Sequence, residues 1–200
     1  MSKGFDEIIG THRIMAILRG LPERETVELA SRAWDLGIDL VEVPVQTPDA
    51  LPALRAAVAA GAERGRAVGA GTVITLEQVT AVAEAGARFT VAPGLAPAVL
   101  AASLAAGLPH LPGVATPSEI QLALRHGVDW LKCFPATALG TAWFKTISGP
   151  FPQVKMVATG GVDAYTAPDF LAAGARVAGV GTALADPAQV ELLAELVKAG

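Results

Sequence analysis

Several residue types that announce function are scarce in this chain. Of its 200 residues only Cys133 is a cysteine, so no internal disulfide forms and a reducing, cytoplasmic setting is expected. The three histidines, His12, His110 and His126, show no ligand spacing, and no metal or other cofactor is assigned. Fifteen Lys and Arg against nineteen Asp and Glu give a net charge of −4. The basic residues are scattered, which excludes the cationic stripe of a nucleic-acid binder. The first dozen residues carry Lys3, Asp6 and Glu7 without a continuous apolar segment, so no export signal is expected. From Phe89 to Ser118, Asp, Glu, Lys and Arg are absent altogether. That stretch has the length of a bilayer span. Pro93, Pro97, Pro109 and Pro112, with Gly94, Gly107 and Gly113, divide it, and it reads as two buried strands around a helix rather than a membrane segment.

What is present is alternation. Short runs rich in Val, Ile and Leu precede Ala/Leu-rich segments with helix signals. The strand candidates are Ile14–Arg19, Leu40–Val45, Ala67–Thr72, Phe89–Ala92, His110–Pro112, Trp130–Phe134, Lys155–Ala158 and Ala178–Val180. Thr75-Leu76-Glu77-Gln78 and Thr116-Pro117-Ser118-Glu119 fit capping boxes, and Asp186-Pro187 fits an N-cap before a first-turn proline. The residues ending successive strands, Arg19, Gln46, Thr72, Pro93, Gly113, Phe134, Gly160 and Gly181, recur at 20 to 27 positions. Eight βα units with no composition break across residues 1–200 predict an α/β fold, a compact (β/α)8 TIM barrel in a single domain. A doubly wound open sheet is the alternative. No Gly-x-Gly-x-x-Gly follows the first strand to support it.

Two charges interrupt the apolar strands. Lys132 lies within Trp130-Leu131-Lys132-Cys133-Phe134, and Glu42 within Leu40-Val41-Glu42-Val43-Pro44. Side chains alternate along a strand, and one register sends Arg19, Glu42 and Lys132 into the same interior. They sit toward the carboxyl ends of their strands, where barrel enzymes build their sites. Burial favours the neutral form of an amine, and a neutral amine can attack a ketone to form a Schiff base. A structural ion pair between Lys132 and Glu42 is the plainer reading, with Arg19 capping a strand end. Against it, taking ions out of water is costly and apolar replacements are often as stable.

A second site is suggested by Thr159-Gly160-Gly161 after the seventh strand and Gly179-Val180-Gly181-Thr182 at the eighth. Barrels frequently bind phosphate there, on backbone N–H groups and a helix N-terminus, and the helix after the eighth strand is expected to point at the same spot. Glycines also make ordinary turns. Cys133 is expected to be a small core residue.

These blocks together resemble the 2-keto-3-deoxy-6-phosphogluconate/4-hydroxy-2-oxoglutarate aldolase family from Ile14 to Leu184. The carriers are Ala16-Ile17-Leu18-Arg19-Gly20, Val41-Glu42-Val43, Gly69-Ala70-Gly71-Thr72-Val73, Ala92-Pro93-Gly94-Leu95, Leu111-Pro112-Gly113-Val114-Ala115-Thr116, Leu131-Lys132-Cys133-Phe134-Pro135-Ala136 and Thr159-Gly160-Gly161-Val162. The resemblance implies a cytoplasmic, homotrimeric class I aldolase of carbohydrate metabolism that needs no metal and acts on a small 2-keto acid phosphate. It implies Lys132 as the Schiff-base residue and Glu42 as general acid/base. Thr72, Pro93 and Phe134 would shape the pyruvyl pocket, Arg19 and Thr72 would meet the carboxylate, and Gly160, Gly161, Gly181 and Thr182 would hold the phosphate. One departure stands out. The phosphogluconate-type pattern reads Val-Thr-Leu-Arg-Thr after the glutamate, whereas this chain has Val43-Pro44-Val45-Gln46-Thr47. Gln46, a substrate-binding candidate, is similar to the neutral amide of the galactonate-type branch. A nonphosphorylated 4-hydroxy-2-oxoglutarate substrate, a phosphate-binding isomerase or synthase, and a sugar-phosphate-binding barrel without catalysis are the rival readings.

Overall fold

Nine short parallel strands wrap into a nearly closed cylinder in the computed structural model, which describes residues 3–198. They are β1 (Ile14–Ile17), β2 (Leu40–Pro44), β3 (Val68–Gly71), β4 (Thr90–Val91), β5 (His110–Leu111), β6 (Gly113–Val114), β7 (Trp130–Cys133), β8 (Lys155–Ala158) and β9 (Val177–Val180). Their order is β5-β4-β3-β2-β1-β9-β8-β7-β6. The count differs from the expected eight because β5 and β6 are two halves of one strand, parted at Pro112. Proline has no N–H to give a ladder. The first half pairs with β4 and the second with β7, so the two ends of the sheet meet at this residue.

Helices follow the strands, and their starts obey local chemistry. The helices α2 (Glu23–Asp35), α3 (Leu51–Glu63), α4 (Leu76–Glu84), α5 (Pro97–Ala105), α6 (Pro117–Arg125), α8 (Thr141–Ser148), α9 (Ala167–Ala172) and α10 (Pro187–Lys198) follow α1 (Lys3–Ile9), with a one-turn α7 (Ala136–Leu139) after β7. Both expected capping boxes form: Thr75 accepts from the Gln78 N–H and Thr116 from the Glu119 N–H, each with its reciprocal bond. Asp186 accepts from the Ala188 N–H at the start of α10. The uncharged stretch is β4, α5, β5 and β6, as read. Among the described residues no helix is long and apolar enough to cross a membrane.

Strand alternation separates two cores. Ile14, Ala16, Leu18, Val41, Val43, Val45, Leu131 and Cys133 pack outward against helices. Met15, Ile17, Leu40, Phe89, Val91, Leu111, Trp130, Val157 and Val177 fill the cylinder. The inner core also takes Phe5 and Ile9 from α1, an element the sequence pattern does not reveal. The Phe5 ring lies 5.7 Å from Phe89 and 6.4 Å from Trp130. Both partners sit where their strands begin, so α1 stoppers the amino-terminal end. Burial of Phe5 and Ile9 contributes roughly 1.5–3 kcal/mol each. Among the described residues α1 is the one helix that contributes to the inner core, so the opposite, open end carries no such stopper.

Candidate active site

On two strands the interior residues change character toward the carboxyl end. On β2 the sequence runs from Leu40 to Glu42, and on β7 from Trp130 to Lys132. Glu42 is wholly buried and Lys132 is 3% exposed. Lys132 Nζ stands 4.0 Å from Glu42 Oε1 and 5.4 Å from the centre of the Phe134 ring. The aromatic face gives the ammonium form a favourable neighbour without a hydrogen bond. Among the described residues, neither Glu42 oxygen has a hydrogen-bond donor. A carboxyl held so is free to exchange a proton with a molecule seated over the lysine.

Glycines make room for this pair. A Cβ at Gly71 would collide with Glu42 Oε1, and one at Gly113 would collide with the Pro93 carbonyl. Gly113 is the register partner of Lys132. Pro93, two residues past β4, thereby packs against Gly113 of β6, the residue that pairs with Lys132. These glycines lie inside motifs quoted from the sequence, but their steric role becomes visible only when the facing side chain is known.

Arg19, Gln46 and Thr72 gather on a second side of the mouth. The Arg19 guanidinium donates from Nη1 to Thr72 Oγ1 at 3.3 Å. Gln46 Nε2 lies 4.0 Å from the position of a Cβ on Gly20, which places the amide beside the Arg19-Gly20 turn. Among the described residues Thr72 is the one non-glycine with positive φ, at 57°. That conformation costs about 1–3 kcal/mol and tends to persist where a site fixes the backbone. Arg19 and Gln46 are solvent-exposed, so they form the rim of the site and not its interior. Strand alternation predicts an inward side chain here, and the structure differs for Arg19. Its strand ends at Ile17, two residues earlier than expected, and the side chain leaves the cylinder to reach Thr72.

A third side holds the glycine loops. Gly160 and Gly161 have φ of 95° and 79°, which only glycine adopts without strain. Gly160 rests on Phe134, where an added Cβ would approach the ring to 2.9 Å. Gly181 follows the strand paired with β8 through Val157↔Val177 and Ala158↔Ala178, so the two loops are neighbours. A 3-10 turn, Thr182–Ala185, comes directly after Gly181. The long helix α10 starts after this turn at Pro187, the first-turn proline marked by the Asp186-Pro187 signal. The Thr182 side chain lies outside the described residues. Thr159, two residues after the inward Val157, is buried beside these loops, and its Cγ2 would meet a Cβ on Gly179 at 2.7 Å.

The other singled-out groups stand apart. Burial pushes the Cys133 thiol up to about 12, and it faces the helix layer as an inert core group. His110 lies under α5 at the start of β5, bonded through Nδ1 to Thr90 Oγ1 at 2.8 Å. His126 caps α6. Among the described residues no cluster of three or more His, Cys, Asp or Glu occurs that could hold a metal ion.

The family model described as KDPG and KHG aldolase matches residues 5–196. The chain belongs to this aldolase family. It is thus an aldehyde-lyase with the expected barrel. It is 35% identical to a probable 2-dehydro-3-deoxy-6-phosphogalactonate aldolase of Rhizobium meliloti, over 87% of this chain and 82% of the relative. It is 36% identical to a 2-dehydro-3-deoxy-phosphogluconate aldolase of Pseudomonas aeruginosa, over 84% and 76%. Among solved structures, the KDPG aldolase of Legionella pneumophila, captured with pyruvate as a covalent carbinolamine, superposes with a TM-score of 0.82 at 32% identity, covering 96% and 95%.

Proposed function

We propose that this aldolase cleaves a 2-keto-3-deoxy-6-phospho sugar acid to pyruvate and glyceraldehyde 3-phosphate, with Lys132 as Schiff-base residue and Glu42 as general acid/base. The observation that carries the proposal is the buried Lys132–Glu42 pair at the open end of the barrel, 4.0 Å apart. The carbinolamine trapped in the Legionella relative supports the same covalent route.

The neutral Lys132 amine adds to the C2 ketone, and a proton from the Glu42 carboxyl lets the carbinolamine hydroxyl leave as water, giving a protonated imine and the Glu42 carboxylate. Glu42, directly or through one water, takes the proton of the C4 hydroxyl. The C3–C4 electron pair then flows into the imine, releasing the aldehyde and leaving an enamine. Protonation at C3 by Glu42 and hydrolysis return pyruvate and the free lysine. Arg19 and Thr72 meet the substrate carboxylate. Thr72, Pro93 and Phe134 shape the pyruvyl end, and the backbone of Gly160, Gly161 and Gly181, with Thr182, takes the phosphate.

Gln46 favours the galacto configuration at C4 as a second, finer reading. It places a neutral amide where the phosphogluconate type carries arginine, and the Rhizobium relative bears a phosphogalactonate name. By family resemblance the enzyme is a cytoplasmic homotrimer, which its mass in solution tests. The substrate is decided by kcat/KM for the two C4 epimers and for 4-hydroxy-2-oxoglutarate. A clear preference for a phosphorylated epimer is expected, and cleavage confined to 4-hydroxy-2-oxoglutarate would contradict the proposal.

A further inference from the structure

The helix that stoppers the barrel also reaches the strand of the Schiff-base lysine. Asp6 Oδ1 accepts hydrogen bonds from Trp130 Nε1 at 2.8 Å and from Lys155 Nζ at 2.6 Å. Lys155 Nζ lies 3.5 Å from Asp129 Oδ2 and 5.5 Å from the centre of the Trp130 ring. Trp130 and Lys155 are register partners on β7 and β8. The hydrogen bond from Lys155, followed by that from Trp130, holds the Asp6 carboxyl below its ordinary range, so the clamp is charged at neutral pH. With Phe5 on a further side, the Trp130 indole is held by a hydrogen bond, a cation and an aromatic ring.

Trp130 stands two residues before Lys132 on the same face of β7. The two side chains therefore project into the cylinder from neighbouring interior layers, with the indole anchored at the floor by Asp6. Lys132 has little else to fix it. Among the described residues its amine makes no hydrogen bond, only the 4.0 Å approach to Glu42 and the contact with the Phe134 face. A flexible four-carbon stem without a hydrogen-bonded head is sensitive to the side chains of the neighbouring interior layer.

We infer that Asp6 is a positioning residue for Lys132, acting through the orientation of the Trp130 indole. The inference rests on the reading of Lys132 as the Schiff-base residue. Asp6 touches neither substrate nor reacting atoms. Its action is to keep the amine where it can reach both the carbonyl carbon and Glu42. A role confined to stability makes a different statement: loss of Asp6 would lower Tm and leave the folded enzyme as fast as before.

The test compares the wild-type enzyme with Asp6→Leu, Asp6→Asn and Trp130→Phe, below the Tm of all four. The rate of borohydride-trapped pyruvyl adduct on Lys132 is read beside kcat and KM. Asp6→Leu and Trp130→Phe are expected to slow trapping by about fivefold or more and kcat in proportion, as small displacements of a reacting group do. Asp6→Asn retains an oxygen for the indole N–H and is expected to recover to within about twofold of wild type, by the same positional argument. Equal trapping rates in all the folded variants overturn the inference. Asp6→Asn as slow as Asp6→Leu, with Trp130→Phe at the wild-type rate, also overturns it, because the effect then bypasses the indole. Should Asp6→Leu fail to fold, Asp6→Ala takes its place, and Trp130→Phe, which keeps an aromatic ring without the N–H to Asp6, must still slow trapping. Absence of a Lys132 adduct in the wild-type enzyme removes the lysine assignment and this inference with it, a failure distinct from equal rates.

Discussion

The two ends of the barrel are built from the same strands to opposite rules. At the amino-terminal end the interior is large and apolar, with Leu40, Phe89, Leu111 and Trp130 beneath Phe5 and Ile9, and the charges stay at the rim in pairs: Asp6 with Lys155, Asp39 with Arg66. At the carboxyl end the charges are inside. Glycines thin the wall, Thr72 takes a strained conformation, and Glu42 has no hydrogen-bond donor among the described residues. Buried polar atoms without a partner occur at both ends, Asp39 Oδ1, Asp129 Oδ1 and His110 Nε2 at the first and the Glu42 oxygens at the second. What separates the ends, among the described residues, is that only the second takes an ionisable pair inside the cylinder. Two residues along a strand are enough to pass from one regime to the other.

Substitutions at the open end should remove chemistry and spare the fold. Lys132→Ala is expected to lower kcat by about 10³-fold or more, with an unchanged far-UV spectrum, since no other side chain can supply the covalent step. Appreciable residual turnover would detach the lysine from the mechanism. Glu42→Gln should cost about 10²–10⁴ in kcat while pyruvate binding holds, the range for a positioned acid/base. A normal rate would take Glu42 out of the proton relay.

At the closed end, away from the Asp6–Trp130 pair, the effects should reverse. Phe89→Ala empties the space under Phe5 and is expected to cost about 3–5 kcal/mol in urea unfolding, with kcat unchanged for the folded enzyme. A drop in kcat with stability intact would erase the distinction between the ends. His110, beside this floor, gives a pH-dependent test. Desolvation lowers its imidazole to about 4. In the unfolded chain the group protonates near 6.5, so between these values the unfolded state binds more protons. Its contribution is complete above pH 6.5 and is lost as pH falls toward 4, up to about 3 kcal/mol. Urea midpoints should decline from pH 7 to 5, and His110→Asn should flatten that decline. An equal slope in the variant would assign the effect elsewhere. The smallest effect is at the rim. Gln46→Arg should shift the kcat/KM ratio of the two C4 epimers by about tenfold, the worth of one charge-assisted hydrogen bond. Identical ratios would make position 46 structural.

The sequence was legible where period and chemistry coincide. Alternation put Glu42 and Lys132 on one interior, and the capping boxes at Thr75 and Thr116 marked their helices, because both are local rules. It was not legible where the deciding partner is distant. The α1 stopper depends on Phe5 finding Phe89 and Trp130, and the need for Gly71 depends on the direction of Glu42. Arg19 was misread because a strand end is set by ladder bonds that pattern does not show. The split at Pro112 was open to prediction, since the proline stood in plain sight within the fifth strand.

The central claim, that the open end forms a Schiff base on Lys132, is tested most directly by borohydride reduction with pyruvate followed by peptide mass mapping. A single pyruvyl adduct on Lys132, lost in Lys132→Ala, is the expected result. Adducts only on exposed lysines such as Lys145, or none, would contradict it.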